Sequence, residues 1–202
     1  MLIKHTDRAD VDNISLNFRK IYLDSGKFNA KKYLDDTIKA RNGSKAEIEA
    51  RLLRGKGYEA GWFGVIDYEA ANKDYCFILN SKIYINSKII EECMLGRARI
   101  FYAKKVNFDE IKSICTSIQS NSGNHKASTL LGFAYEVFEN DYKNAAKCFI
   151  SSFVNGSKRA LAYYSYAKYK SGNYICSIIS LMMYYLLYPF LSIFDKSKYN
   201  LY

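Results

Sequence analysis

Apolar residues between Gly123 and Ala160 recur with the spacing of helices. Leu131, Ala134, Tyr135 and Phe138 lie three or four residues apart, which predicts a helix with one apolar face. Asn140 and Asp141 supply a turn and a cap. Tyr142, Ala145, Ala146, Phe149 and Phe153 then mark a second helix, stopped by Asn155 and Gly156. Gly132, Ala134, Ala145 and Ala146 are small enough for the two helices to approach closely, so that Phe149 and Tyr135 interdigitate. The pattern predicts an antiparallel hairpin. Its opening phrase, Gly123 to Ala127, returns one hairpin later as Gly156 to Ala160. A fixed period in this range marks stacked helical hairpins.

The aromatic residue that opens each second helix serves as a ruler for the rest of the chain. The ruler reads Phe28 after Gly26, Tyr75 after Asp74, Phe108 after Asn107, Tyr142 after Asp141 and Tyr174 after Asn173. From Tyr75 onward the intervals are nearly equal and match the period of the repeated phrase. The first interval is longer by the length of one helix, which predicts an extra helical insertion near 41–57. Within it Glu47 and Arg51 stand four apart on a helix, and Arg51, Arg54 and Lys56 form a small basic group. Arg51 and Arg54 are candidate partner contacts, set against the plainer reading of a solvated helix. The chain is therefore expected to be all-α, an α-solenoid of about five antiparallel helix hairpins. It would occupy residues 11–188, between an N-terminal tail at 1–10 and a C-terminal tail at 189–202.

The stretch from Gly123 resembles a Sel1-like repeat, a variable relative of the tetratricopeptide repeat. The residues that carry the resemblance are Ala127, Leu131 with Gly132, Tyr135, Asp141 with Tyr142, Ala145, Phe149, Gly156 and Ala160. The resemblance implies a non-enzymatic scaffold that binds a protein or peptide and assembles a complex.

Composition supports a helical reading: Pro189 is the only proline, so helices run uninterrupted almost to the end. The 19 tyrosines and 12 phenylalanines suit the irregular gaps between packed helices. Tyr163, Tyr164 and Tyr166 are candidates for lining a concave, partner-binding groove. The net charge of +10 is uneven. Residues 1–56 carry 13 Lys and Arg against 8 acids, residues 57–156 carry 11 against 11, and residues 157–202 carry 6 against 1. Nucleic-acid binding asks for a continuous basic stripe with stacking aromatics or a known module, and neither is visible. Basic ends suit an anionic membrane surface or an acidic partner.

From Tyr174 to Phe194 the chain is mostly apolar and carries no charge, and it is flanked by Lys168, Lys170, Lys196 and Lys198. Ile175, Ile178, Ile179, Met182 and Leu186 make one face. Ser177, Ser180, Tyr184 and Tyr188 make a more polar one. Three readings follow: a last repeat helix with its apolar face in the core, an interfacial helix on a membrane, or a transmembrane span. In the first two, Pro189 is expected to end or kink the helix. An apolar end without a neighbour is a docking surface for lipid, a second copy or a membrane protein.

No constellation for catalysis emerges. Cys76, Cys93, Cys115, Cys148 and Cys176 lack paired short spacings, and with only His5 and His125 no ordinary zinc site assembles. Cys115 and Cys148, one period apart, are expected at equivalent repeat positions as small buried hydrophobes. His125 belongs to a turn that opens a helix. Asp35-Asp36 and Glu91-Glu92 are adjacent in sequence and make poor acid–base couples. Gly55-Lys56-Gly57 is too short for a phosphate loop. No cofactor, metal or catalytic residue is assigned. Five cysteines on helices point to a reducing compartment, and early charges at Lys4, Asp7 and Arg8 argue against a secretory signal. The expected function is a cytoplasmic helical-repeat adaptor. The alternative is a membrane-associated accessory protein, of the bacterial envelope or surface-polysaccharide assembly, held at the cytoplasmic face by residues 174–194.

Overall fold

A computed structural model describes residues 6–193, with side chains from Ile14 to Leu187. The described residues are helical and contain no strand. The elements are α1 (Thr6–Ala40), α2 (Lys45–Ala60), α3 (Tyr68–Leu79), α4 (Ser87–Lys104), α5 (Phe108–Ser122), α6 (His125–Ala134), a π-helical turn (Tyr135–Glu139), α7 (Tyr142–Val154), α8 (Ala160–Lys170) and α9 (Tyr174–Ile193). The chain forms two compact units, Met1–Ile100 and Phe101–Tyr202. Residues 1–5 and 194–202, and with them His5, Lys196 and Lys198, lie outside the described part. α1 begins at Thr6, inside the expected N-terminal tail.

In the first unit α1 is two helices joined across Gly26, which takes φ 81° and ψ 173°. Glycine reaches this region without a Cβ clash. α2 starts where the Ser44 hydroxyl accepts the Glu47 N–H, and ends at Gly61 in the left-handed conformation. One cluster joins Ile14, Phe18, Ala30, Leu34 and Ile38 of α1 to Ala46 and Ala50 of α2. A second joins Ile48 of α2 to Ala71, Tyr75 and Ile78 of α3 and to Cys93 and Ile100 of α4.

Aromatic rings pack onto glycines. A Cβ on Gly55 would stand 2.9 Å from the Tyr75 ring, and one on Gly96 would overlap that ring. The Tyr75 ring thus fills the space left open on both α2 and α4. A Cβ on Gly57 would overlap Phe63. The Gly55-Lys56-Gly57 stretch is therefore a packing feature of α2.

The second unit repeats the device. A Cβ on Gly132 of α6 would lie 2.5 Å from Cε1 of Phe149 of α7. Phe149 in turn meets Phe133 edge to face at 5.2 Å and Tyr163 at 5.5 Å. Ala145, Ala146, Phe149 and Ala167 form the buried cluster around these rings. Asn140 turns the chain with φ 51°, and the Asp141 carboxylate accepts the Asn144 N–H at 3.0 Å to start α7.

One register runs through three of the helices. Counting from the aromatic that opens α3, α5 and α7 (Tyr68, Phe108, Tyr142), the residues three, seven and ten positions on are all buried. They are Ala71, Tyr75 and Ile78; Ile111, Cys115 and Ile118; Ala145, Phe149 and Ser152.

This register corrects the ruler. Tyr75 does not open a helix; it lies within α3, seven positions after Tyr68, and the Asp67 carboxylate caps that helix by accepting the Ala70 N–H at 2.9 Å. With Tyr68 in its place, the interval from Phe28 to Tyr68 equals that from Tyr68 to Phe108, and the later steps to Tyr142 and Tyr174 are shorter by about two helical turns. The surplus is then shared equally by the first two intervals, and most of the stretch near 41–57 lies in α2 (Lys45–Ala60), which packs on both α1 and α3. The equivalence of Cys115 and Cys148 also fails. Phe149 matches Cys115, so Cys115 is buried whereas Cys148, one position earlier, is half-buried.

Candidate functional site

The outer face of α9 in the second unit is the most exposed apolar surface of any described helix. The Asn173 side chain accepts the Cys176 N–H at 3.2 Å at the start of the helix. Toward α8 it turns Ser177 and Ser180, which are 8% and 5% exposed. The Ser165 hydroxyl of α8 donates to the Ser177 carbonyl at 2.8 Å and lies 3.2 Å from its hydroxyl. The Ser180 hydroxyl donates to the Cys176 carbonyl at 2.6 Å and reaches the Ser177 carbonyl at 3.0 Å. These bonds satisfy the buried hydroxyls without a polar partner from outside the pair.

With serines inside, the large side chains point out. Ile175 is 74% exposed, Ile178 60%, Ile179 53%, Met182 59% and Leu186 66%. The spacing grouped these five as one face and offered the core as one place for it; in the structure they are exposed, with Leu181, Met183 and Tyr185 exposed beside them. The helix does not end at Pro189 but continues to Ile193. No described helix is long and apolar enough to cross a membrane.

The aromatic candidates separate. Tyr163 is packing, with its ring 4.8 Å from Phe133 and 5.5 Å from Phe149. Tyr164 is partly buried against the same cluster, under the Lys168 ammonium at 5.4 Å from its centroid. Tyr166 is exposed and lies under Lys170 at 5.6 Å. The three do not form one groove.

Arg51 and Arg54 are not a free basic group. The Arg51 Nε donates to Glu47 Oε1 at 2.7 Å and its Nη1 to Asp74 Oδ1 at 3.2 Å. Its guanidinium lies 3.7 Å from the centre of the Phe77 ring. Arg54 makes a bidentate pair with Asp74, at 2.8 and 2.7 Å, and donates to Asp35 Oδ1 at 2.7 Å. Asp74 and Glu47 are each 1% exposed. This network holds the Arg54 guanidinium more firmly protonated than usual, chiefly through the Asp74 hydrogen bonds. It fixes α1, α2 and α3 together. A second ionic group ties Arg99 of α4 to Glu59 of α2, whose Oε2 also accepts the Tyr75 hydroxyl at 2.7 Å. Burial and the Glu59 charge push the Tyr75 phenol up.

The repeat-signature residues lie where packing uses them. Ala127, Leu131, Ala145, Phe149 and Ala160 are buried, and Gly132 admits the Phe149 ring. Tyr135 stacks edge to face on Phe108 at 5.5 Å. Tyr142 opens α7, and Gly156 turns at φ 105°. His125 opens α6 with its carbonyl bonded to Thr129 and Ser152, and burial lowers its imidazole pKa. Burial also pushes the Cys93 and Cys115 thiols up to about 12, away from reactive thiolate.

One titratable group escaped the sequence reading. Glu136 sits in the π-helical turn, its Oε1 buried without a hydrogen-bond partner, and burial pushes its carboxyl up to about 7. No local pattern marks it, because the burial comes from tertiary packing. Among the described residues no group of three or more His, Cys, Asp or Glu could hold a metal ion.

No family model, curated protein or solved structure matches the chain. The resemblance to Sel1-like repeats rests on the residues quoted for it.

Proposed function

We propose that the chain is a non-enzymatic helical-repeat adaptor, Sel1-like or tetratricopeptide-like, that assembles a complex in the cytoplasm around a protein or peptide. Within each unit consecutive helices pack on one another, α1 on α2 and α2 on α3 in the first, and α5 through α9 in the second, which supports an α-solenoid of hairpins. The observation that carries the reading is the common register of α3, α5 and α7, each burying the same three positions after an aromatic opener. Repeats of this kind build extended surfaces for partners. The ionic groups serve packing: Arg51, Arg54 and Arg99 are all paired within the first unit. A photocrosslinking residue at exposed Tyr166 tests it in living cells. The adaptor reading expects one discrete protein adduct. Absence of any protein adduct there, and from a second probe at exposed Val154, counts against it.

A second reading, a membrane-associated accessory protein held through residues 174–194, is favoured by the exposed apolar face of α9. Fractionation of cells tests it: the intact chain pellets with membranes, whereas one ending at Ser171 does not.

A further inference from the structure

The α8–α9 pair is built inside out for helices in water. Its seam sets Ser165 of α8 against Ser177 of α9, with Ser180 buried one turn further along α9. Helix pairs in lipid pack through such small and hydroxyl-bearing residues and turn their large apolar side chains to the acyl chains. α9 follows the second half of that rule on its outer face.

The surroundings carry the matching charge. From Tyr142 to Phe194 the sequence contains no Asp or Glu, but it contains Lys143, Lys147, Lys158, Arg159, Lys168 and Lys170. Where α8 passes into α9, exposed Tyr169 and Tyr174 meet edge to face at 5.4 Å. Lys168 and Lys170 occupy the same end of α8. Tyrosine and lysine gather where headgroups meet hydrocarbon, with apolar stems inward and polar tips toward water.

We infer that the outer face of α9 lies in the plane of an anionic phospholipid bilayer. Ile175, Ile178, Ile179, Met182 and Leu186 enter the acyl boundary, and Lys168 and Lys170 meet the phosphates. This rests on the second reading above and adds the partner and the orientation. The helix lies on the bilayer because its inner face is committed to Ser165 of α8. A second copy of the chain would bring its own Lys168 and Lys170 against these two, whereas an anionic surface neutralises them.

Flotation of the full chain with protein-free vesicles tests this. Vesicles of phosphatidylcholine alone are compared with vesicles of phosphatidylcholine and phosphatidylglycerol. The chain should float with the anionic vesicles, less so as salt rises. Ile178→Asp should lower partitioning by about tenfold or more, from the lost burial of one large apolar side chain. Lys168→Gln combined with Lys170→Gln should lower it by about tenfold or more on anionic vesicles and leave neutral ones unchanged. Both variants should keep wild-type helicity; should Ile178→Asp lose it, Ile175→Gln replaces it with the same expectation. The inference is overturned if the wild-type chain ignores anionic vesicles, or if Ile178→Asp floats as well as wild type. It is also overturned if the chain dimerises through this face and leaves the vesicles empty. Cell membranes that retain the chain while protein-free vesicles do not would remove the lipid inference and leave the membrane-held reading standing.

Discussion

α7 and α9 begin alike and end up facing opposite ways. Each opens with a tyrosine after a capping Asp or Asn, and each packs on the helix before it. Three, seven and ten positions after its tyrosine, α7 buries Ala145, Phe149 and Ser152. The corresponding residues of α9 are Ser177, Leu181 and Tyr184, of which only Ser177 is buried. In α7 the large ring goes inward because Gly132 leaves room for it on α6. The facing helix α8 holds no glycine, so α9 comes close through small serines and leaves its large side chains outside. The same helical position is thus core or exposed surface according to what the preceding helix leaves open.

The largest way to sharpen this contrast lies in α3, which shares the register of α7 but fastens its inner face with charge. Asp74→Ala should cost about 3 kcal/mol in chemical denaturation, since it strips Arg51 and Arg54 of a buried partner; the value sits at the low end because Glu47 and Asp35 remain. Ser180, six positions after its tyrosine as Asp74 is after Tyr68, should tolerate Ala with a loss of about 1 kcal/mol or less. Next, Gly132→Leu fills the space that Phe149 occupies and should cost about 2 to 3 kcal/mol by the same measurement. A neutral result there would break the account of why α7 faces inward.

Smaller still is the effect of pH at Glu136, beside the α6–α7 turn. A carboxyl whose folded pKa lies above its unfolded one holds more protons in the fold between its ordinary value of 4.5 and about 7. Stability should therefore fall as pH rises through that window and level off above it. Glu136→Gln removes the ionisation, so it should raise the melting temperature more at pH 8 than at pH 5.

Much of the second unit was legible because its signals are local. Asp141-Tyr142, the small residues at 145 and 146, and the stop at Asn155-Gly156 all act within a few residues of themselves. In the first unit two Asp-Tyr steps compete, Asp67-Tyr68 and Asp74-Tyr75, and the pair alone does not say which caps a helix. The residues that follow do. Three positions after Tyr68 stands Ala71, as Ala145 stands three after Tyr142, whereas the third residue after Tyr75 is the larger Ile78. The Arg51–Glu47 pair was visible at its i, i+4 spacing. The pairs of Arg54 with Asp74 and Asp35 join positions far apart in sequence and exist only once α1, α2 and α3 are packed. For α9 the periodicity separated two faces but carried no information about which one meets α8. That choice depends on the space the neighbouring helix leaves.

The central claim is that the apolar face of α9 is surface and that of α7 is core. Equilibrium unfolding of the Ile178→Asp, Met182→Asp double variant, beside the single variant Ala145→Asp, tests it most directly. The account predicts that the double variant on α9 unfolds within about 0.5 kcal/mol of wild type, as exposed substitutions do. The single charge at buried Ala145 should instead cost several-fold more or prevent folding altogether. A double variant that loses as much stability as Ala145→Asp would mean that α9 packs its isoleucines inward, and the exposed apolar face would not exist.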